Sequence, residues 1–544
     1  MRIIHNYHPI YTKKLVELGM VQKGDGFKIT QNFATPEYLK FNEIAQENGE
    51  LFELVKEFGG CFYIDRYQGG TFWSDYEYDY GLIEQYDKMT EDGFLGLQVH
   101  ELGATRVFDW MRIERCMNAE PLERNAENIY EAVKKISHNK IYPHFSQGTA
   151  EEYASLQQPK TYTEFFRDID FVIEDRQKKT GGRVLLCDAG KMCCGFEKEN
   201  DINVSFIEVG AQTSKARMQF AARRGISRAR GKKWGVYLET WNDYPTTSYT
   251  YMKNGLNDFY LNRDNFLFFC TDENGGSSMS LARRTMFYAL FSGANYYVEE
   301  MGMTNTFYDW ESFELTPFGK HKRDMFALSR ELKNVKPKIP VAIVIPKKYK
   351  VLMMHHGYPL INDVTEEDYV ALFDRINGLF CDGSKLGHED YVYTTGRYGS
   401  LFDIIYEDSY GNPACEYEVV VDYSGKFLKQ SNVVDGYAEE ELKNKLDSFF
   451  EAYLPFTLNA NGGLDYSLFE NDSKRYCCIY NHNGITKTQE EGEMVNPEAS
   501  VTLRMTLKDG NIKKIYNVCG CDYTVREKVL NAELTGGTFI LIEY

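Results

Sequence analysis

The stretch Phe94-Leu-Gly-Leu-Gln-Val-His-Glu101 begins as an apolar run and ends in polar and acidic residues. Seven other stretches within the first 330 residues have the same form, and segments with helical spacing of apolar residues lie between them. The eight runs are 26–32, 61–66, 94–101, 140–145, 183–188, 204–209, 234–241 and 294–300. Near-continuous apolar strands that alternate with helices indicate a parallel sheet covered on both faces. Eight such units predict a (β/α)8 TIM barrel.

The pattern changes near residue 335. The segment Asn334-Val-Lys-Pro-Lys-Ile-Pro340 has the composition of a linker, and the strongly apolar Val341-Ala-Ile-Val-Ile-Pro346 follows it. Helical spacing at 366–380 and 438–452 predicts a second α/β unit.

Short alternating strands and turn signals begin at about residue 456. Asn483-Gly484 and Asp509-Gly510 are two-residue signals of β-hairpins. The C-terminal part therefore reads as a small antiparallel β-sandwich. We predict three domains: a catalytic barrel at 1–335, an amidotransferase-like α/β domain at 336–455 and a C-terminal β-sandwich at 456–544.

The composition restricts the class of partner. The chain of 544 residues has 62 Lys and Arg against 80 Asp and Glu, a formal net charge of −18. Nucleic acids and anionic membranes need a basic surface, so neither is an expected partner. The 40 Tyr and 35 Phe provide flat apolar faces, and Tyr adds a polar tip, which suits sugar rings as well as cores. We expect a carbohydrate substrate.

Two further features bear on the cellular compartment. The N-terminal residues lack the continuous apolar core of a signal peptide, which predicts a cytoplasmic protein. None of the 12 cysteines forms a CxxC pair, so we expect reduced, mostly buried thiols and no structural zinc site.

Polar residues at the ends of the predicted strands are the candidates for chemistry, because active sites of parallel barrels lie at the carboxyl ends of the strands. Acidic residues end most of the runs, and a pair of carboxylates is what glycoside cleavage requires. We predict Glu101, Glu208 and Glu239 as catalytic residues. The predicted substrate-binding residues are Asp65, Arg66, His100, His144, Asp188, Trp241 and Glu300.

Each carboxylate also has a purely structural interpretation. Glu101 could pair with Arg106, and Glu208 could pair with the basic helix that follows it, which carries Arg217 and Arg224. For the pair Glu299-Glu300, strand alternation places only Glu300 on the inward face with Tyr296 and Val298.

A glycoside hydrolase that needs no cofactor or metal is the function we predict, and two alternatives stay open. A metal-dependent sugar isomerase or lyase could bind a hard divalent cation through carboxylates and histidine at the strand ends. The candidate ligands for that cation are His100, Glu101, Asp188, Glu208 and Glu239. A non-catalytic carbohydrate-binding protein on the same barrel is the other alternative.

The domain order resembles that of the glycoside hydrolase family 42 β-galactosidases. The features that carry the resemblance are the eight strand ends, Leu315-Thr-Pro-Phe-Gly319 after the last strand, and the apolar strand that begins at Val341. The resemblance implies a retaining β-glycosidase whose middle domain helps to build a homo-oligomer.

In that family the fourth strand ends in Asn-Glu, which supplies the acid/base, and the seventh strand supplies the nucleophile. The resemblance assigns the nucleophile to Glu239. The fourth predicted run ends at His144-Phe145-Ser146-Gln147, which contains no carboxylate, so the sequence departs from the family at this position.

Overall fold

Eight parallel strands close into a barrel in the first 300 residues. The computed structural model describes residues 1–30, 40–65, 78–103, 125–137, 157–188, 201–209, 216–238, 279–300, 302–351, 364–380, 398–471, 473–488 and 492–544, together with shorter stretches between 106 and 123, at 155, 276–277, 391–393 and 396. The barrel strands are β1 (Arg2–Asn6), β2 (Gly26–Thr30), β3 (Cys61–Asp65), β4 (Phe94–His100), β5 (Val184–Asp188), β6 (Val204–Val209), β7 (Lys233–Leu238) and β8 (Tyr296–Glu299). Each pairs in parallel with the next, and β8 pairs with β1.

The predicted numbering of the strands is wrong, although the predicted eight-stranded barrel is confirmed. The chain begins with β1, which the sequence pattern missed because only Ile3 and Ile4 form its apolar core. The eight strands close without residues 140–145, which lie outside the described residues, and β4 is directly hydrogen-bonded to β5. As a result, the run that ends at Glu101 is the fourth strand and not the third.

Helices cover the outside of the barrel, as the helical spacing predicts. The described helices of this part are Pro9–Glu17, Phe41–Ile44, Glu50–Phe58, Tyr80–Met89, Ala126–Ser137, Tyr162–Thr180, Ala216–Ala229, Met279–Phe291 and Pro317–Glu331, with a 3-10 turn at Gly302–Thr304. The longest begins with a reciprocal capping box between Thr161 and Glu164, which satisfies backbone donors that a helix start otherwise leaves open.

A β-bulge in β4 decides which of its side chains enter the barrel. Leu95 packs in the interior cluster, whereas Leu97 and Val99 pack against the outer helices. The register with β3 shifts between these positions. Gly96 occupies the bulge at φ 137°, and a Cβ there would lie 2.7 Å from the backbone of β5. Only glycine fits this close approach, and the bulge turns the following polar residues inward.

A second sheet, parallel throughout, follows the barrel. Its strands in spatial order are Phe402–Tyr406, Val341–Ile345, Val419–Asp422 and Val433–Asp435. The helices predicted for this unit are confirmed as Glu366–Phe380 and Glu439–Tyr453, and 3-10 turns lie at Lys347–Val351 and Pro413–Cys415. The barrel helix Ala216–Ala229 packs on this sheet, where a Cβ on Gly225 would lie 2.6 Å from the Ile404 carbonyl oxygen.

Antiparallel sheets form the C-terminal part. The five-stranded sheet contains, in spatial order, Lys336–Pro337, Asp465–Glu470, Arg475–Tyr480, Phe539–Glu543 and Lys514–Tyr516. The C-terminal four-stranded sheet contains Phe456–Ala460, Val501–Leu507, Val529–Leu534 and Asp522–Arg526. A small mixed sheet joins Tyr391–Tyr393, Ile485–Thr488, Gly492–Val495 and Gly276–Ser277.

The five-stranded sheet is buried on both faces. Phe469 stacks on Phe291 of a barrel helix, while Cys477 and Ile479 share a core with Met505 of the C-terminal four-stranded sheet. The predicted fold class is thereby confirmed: a TIM barrel, a second α/β unit and a C-terminal β-sandwich. The predicted domain boundaries stay a prediction.

Two further observations concern the cysteines and the length of the helices. The cysteines that the structure describes are all free thiols: Cys61, Cys187, Cys415, Cys477, Cys478, Cys519 and Cys521. Among the described helices, none combines the length and the apolar character needed to cross a bilayer.

Candidate active site

His100 lies at the end of β4 and contacts side chains of two other strands. Its Nε2 is 3.5 Å from Oε2 of Glu208 on β6, and its ring centroid is 5.5 Å from that of Tyr237 on β7. Gln98 Nε2 lies 2.9 Å from His100 Nδ1. An amide donor at Nδ1 places the imidazole proton on Nε2, facing the Glu208 carboxylate. Two predicted site residues, His100 and Glu208, are thus brought together.

Lys28 on β2 is a fully buried cation beneath this pair. Its Nζ donates to the Glu300 carbonyl oxygen at 2.6 Å and to the Tyr237 hydroxyl at 3.3 Å, and it lies 3.2 Å from Asp65 Oδ2. Tyr237 in turn donates to Asp65 at 3.5 Å. Because a buried carboxylate is costly unless it is paired, Lys28 explains how Asp65 is accommodated at the end of β3.

The pKa of the Cys187 thiol on β5 is sensitive to the acidic residues at the neighbouring strand ends. Burial raises the pKa of its thiol well above the ordinary value. The charges of four carboxylates raise that pKa further, namely those of Glu208, Asp65, Asp188 and Glu101 in decreasing order of effect. Acidic groups from four different strand ends therefore lie close enough to this buried sulfur atom to raise its pKa.

Glu101 has an unusual backbone. Its φ of 50° is in the left-handed region, and its N–H donates to the Cys187 carbonyl oxygen at 2.6 Å. That bond extends the pairing of β4 with β5 by one residue while the chain turns away. Strained backbone of this kind concentrates at functional sites, where the surrounding structure holds it in place.

Arginines that could have paired with Glu101 and Glu208 form ion pairs with other residues. Arg106 pairs with Asp168 of the helix Tyr162–Thr180, with Nε 2.9 Å from Oδ2. The basic helix after β6 faces the two C-terminal parts of the chain. Its Arg217 lies 2.6 Å from Asp465, and its Arg224 lies 2.6 Å from Asp403. These cations stabilise contacts between parts of the chain.

The two glutamates at the end of β8 face opposite ways. Tyr296 and Val298 belong to the interior cluster, whereas Glu299 accepts from the Tyr297 hydroxyl at 3.1 Å and pairs with Lys322 on an outer helix. Alternation then directs Glu300 inward.

Four predicted site residues, Arg66, His144, Glu239 and Trp241, lie outside the described residues. In sequence, Arg66 directly follows β3 and Glu239 directly follows β7.

Sequence reasoning missed Lys28 and Tyr237. A signal was present for Lys28, since a lysine between Phe27 and Ile29 in an apolar run is expensive to bury without a partner. The sequence contains no such signal for Tyr237, because an aromatic residue in a buried strand ordinarily packs in the core.

His100, Cys187 and Glu208 also form the kind of donor set that a metal ion needs. One ligand atom from each lies within 4.8 Å of the others, and all three residues are buried. Imidazole and thiolate together favour a zinc-like ion over a hard cation such as Mg²⁺.

Two cavities of the described residues lie elsewhere. One of about 790 Å³ runs along the C-terminal four-stranded sheet, and one of about 540 Å³ lies between the helix Ala216–Ala229 and the second sheet. Neither is lined by a predicted site residue, so converging carboxylates rather than cavity volume define the candidate site.

The barrel followed by an α/β unit and antiparallel sheets is the architecture of family 42 glycoside hydrolases. Gan42B, a GH42 β-galactosidase from G. stearothermophilus, is 8% identical over 100% of this chain and 98% of its own, with a TM-score of 0.51. A catalytic mutant of Gan42B has the same identity and coverage and a TM-score of 0.50.

The apo exo-carrageenase GH42 from Bacteroides ovatus is 12% identical over 100% of this chain and 82% of its own, with a TM-score of 0.47. No protein-family model matches the sequence, and no curated protein matches it. At these identities the likeness concerns the fold alone: the chain has a TIM-barrel fold similar to that of Gan42B.

Proposed function

We propose that this protein is a glycoside hydrolase in which Glu101 is the general acid/base and Glu239 the nucleophile. The observation that carries the proposal is the corrected numbering of the barrel strands. Glu101 directly follows the fourth strand and Glu239 directly follows the seventh. These are the strands that supply the two carboxylates in the family that the sequence resembles. In this proposal Glu101 takes the place of the missing fourth-strand carboxylate, and His100-Glu101 corresponds to the Asn-Glu of that family.

The proposed reaction is a double displacement. Glu239 attacks the anomeric carbon while Glu101 donates a proton to the departing glycosidic oxygen, so that an alcohol leaves and a glycosyl ester forms on Glu239. Glu101, now a carboxylate, removes a proton from water, and the oxygen of that water attacks the same carbon. The ester breaks, Glu239 is regenerated and the sugar leaves with its configuration retained.

The remaining buried polar residues suit the binding of sugar hydroxyls. The His100 proton on Nε2 and the Glu208 carboxylate present one donor and one acceptor next to each other, which is what vicinal hydroxyl groups require. Lys28 holds Asp65 and Tyr237 together below them. We assign Glu208, first predicted as a catalytic candidate, to substrate binding.

The first experiment screens chromogenic aryl glycosides with the wild type and the variants E101Q, E208Q and E239Q. We expect E239Q to be inactive, and E101Q to lose about 10²- to 10⁴-fold in kcat with poor leaving groups. E101Q should lose much less with dinitrophenyl glycosides, which need no proton to depart. The variant E53Q, on the exposed face of the helix Glu50–Phe58, is a matched control and should behave as wild type.

Azide rescue then separates the two roles. In E239A, azide attacks the anomeric carbon directly and gives a glycosyl azide of inverted configuration. In E101A, azide attacks the glycosyl ester and gives the retained configuration. Rescue of E208A with either outcome, in place of E101A or E239A, would show that the assignment of the pair is wrong.

A metal-dependent sugar isomerase or lyase is a second candidate, and the His100–Cys187–Glu208 donor set favours it. Gln98 bears on this choice: its buried Oε1 has no hydrogen-bond partner among the residues that the structure describes, whereas its Nε2 lies 2.9 Å from His100 Nδ1. The opposite amide orientation would place the proton on Nδ1 and leave Nε2 as a metal ligand.

Chelation separates the two candidates. Glycoside hydrolysis that survives EDTA and is lost in E239Q supports the glycosidase. An activity that EDTA abolishes, that Zn²⁺ restores and that C187S lacks supports the metal enzyme. Binding of sugars without turnover of any substrate would support the non-catalytic alternative.

A further inference from the structure

The strand Asp522–Arg526 is an open edge of the C-terminal four-stranded sheet. Among the described residues it pairs with Val529–Leu534 alone, and all five of its residues are exposed. Tyr523 is 42% exposed and Val525 36%, which places both among the large exposed hydrophobic residues of the described chain. Proteins usually guard such an edge with proline, lysine or a bulge, and this strand has none of these.

The sequence of the strand, Asp522-Tyr-Thr-Val-Arg526, is complementary to itself in antiparallel orientation. If two copies pair about Thr524, Asp522 of one lies opposite Arg526 of the other, at both ends of the pairing. Tyr523 then lies opposite Val525. Opposite charges and aromatic–β-branched pairs are the cross-strand neighbours that stabilise antiparallel sheets.

The charged side chains at the two ends of the strand have no partner among the described residues. The side chains of Asp522 and Arg526 form no hydrogen bond or ion pair with any residue that the structure describes. Their charges are therefore available to a second strand.

The backbone direction fits the same register. Two residues join Arg526 to Val529, and this short hairpin makes Arg526 and Val529 a hydrogen-bonded pair. Because backbone groups alternate in direction along a strand, Tyr523 and Val525 point their N–H and C=O groups at the open edge. Pairing about Thr524 places these two residues opposite each other, so each copy donates to and accepts from the other.

We propose that two copies of this chain form a two-fold symmetric dimer through Asp522–Arg526, joining the two four-stranded sheets into one continuous sheet of eight strands. A C2 axis through the Thr524 pair uses the same surface on both copies. Five residues per copy make a small interface, below the roughly 1,200 Å² of a stable standard complex. The dimer should therefore dissociate at concentrations on the order of micromolar.

Charge reversal tests this register directly. Sedimentation from about 1 to about 200 µM, which brackets a micromolar dissociation constant, should give the wild type twice the mass of R526D at the upper end. In a monomeric wild-type chain that mass is 63.1 kDa, and the dimer has twice this value. D522R should also lose the dimer, whereas the double variant D522R/R526D should recover it, because the opposite charges again face each other.

Mixing provides a second readout. R526D has two acidic ends and D522R has two basic ends, so an equimolar mixture should form a heterodimer although neither variant dimerises alone. K513D makes the same charge change at another exposed residue of the C-terminal part and should keep the wild-type mass. Equal masses of wild type and R526D, or failure of both the double variant and the mixture to restore the dimer, would overturn the proposal.

Discussion

Glu101 has both a strained backbone and a proposed catalytic role. A side chain at a φ of 50° costs about 1–2 kcal/mol, because its Cβ crowds the following carbonyl group. The fold tolerates the cost at a position where the charges of three other carboxylates converge on Cys187. A residue selected for stability alone would be glycine at this position.

The variant E101G should therefore gain stability while it loses activity. We expect the free energy of unfolding to rise by about 0.5–1 kcal/mol, the relief of the backbone less the added flexibility of the unfolded chain. Denaturant unfolding measures the gain. Glu527, with a φ of 51° in an exposed turn, is a matched control: E527G should gain similarly and keep its activity. A loss of stability in E101G would contradict this account.

At the scale of the element, the bulge in β4 determines what the barrel mouth contains. Without Gly96, regular alternation from the inward Leu95 would direct Leu97 and Val99 into the barrel and His100 outward. The bulge reverses this, so that His100 reaches Glu208 and Tyr237. A single inserted residue in one strand thus exchanges an apolar lining for a polar one.

The variant G96A should lose both stability and activity. Its Cβ would lie 2.7 Å from β5 backbone atoms, at a φ of 137°, so we expect a loss of about 2–5 kcal/mol in the free energy of unfolding. The control is G182A. Gly182 also has a positive φ, of 82°, but a Cβ there meets nothing within 4 Å, so only about 1–2 kcal/mol should be lost. Equal losses would show that the close approach to β5 is unimportant.

At the scale of the whole molecule, one buried network joins the three parts of the chain. Asp465 of the five-stranded sheet lies 2.6 Å from Arg217 of a barrel helix, 2.9 Å from the Ser400 hydroxyl and 3.3 Å from His482 Nε2. Burial alone raises the pKa of Asp465, but Arg217, His482 and Ser400 outweigh it and hold the pKa at about 2. Burial lowers the pKa of His482 to about 4, against the effect of Asp465.

This network predicts a loss of stability on mild acidification. In the unfolded chain His482 has a pKa near 6.5 and is protonated below it. In the folded protein its pKa is about 4, so it stays neutral until the pH falls to that value. Its contribution is therefore complete above pH 6.5 and is lost as the pH falls to 4, by about 3 kcal/mol. Asp465 adds a further loss only below about pH 4.

Urea unfolding between pH 8 and pH 4 measures the effect. The variant H482N should be less stable than wild type at pH 7, and its stability should fall less steeply between pH 6.5 and pH 4 because His482 no longer contributes there. Identical slopes in the two proteins would contradict the assignment to His482.

Much of the fold was accessible from the sequence. Runs such as Phe94–His100 and Val341–Ile345 carry their apolar pattern locally, and the helices Glu366–Phe380 and Glu439–Tyr453 were predicted to within a residue. The convergence of acidic strand ends also followed, because all strands of a parallel barrel end at one rim.

What the chain determines by itself is the kind of each element and the order in which the elements occur, since both depend on the spacing of apolar residues over a few turns or strands. Which strand is fourth, which face of β4 enters the barrel and which anion each arginine meets were decided by the tertiary structure. Strand pairing, the bulge at Gly96 and the contact of Arg217 with Asp465 join residues far apart in the chain, and no local pattern encodes such partners.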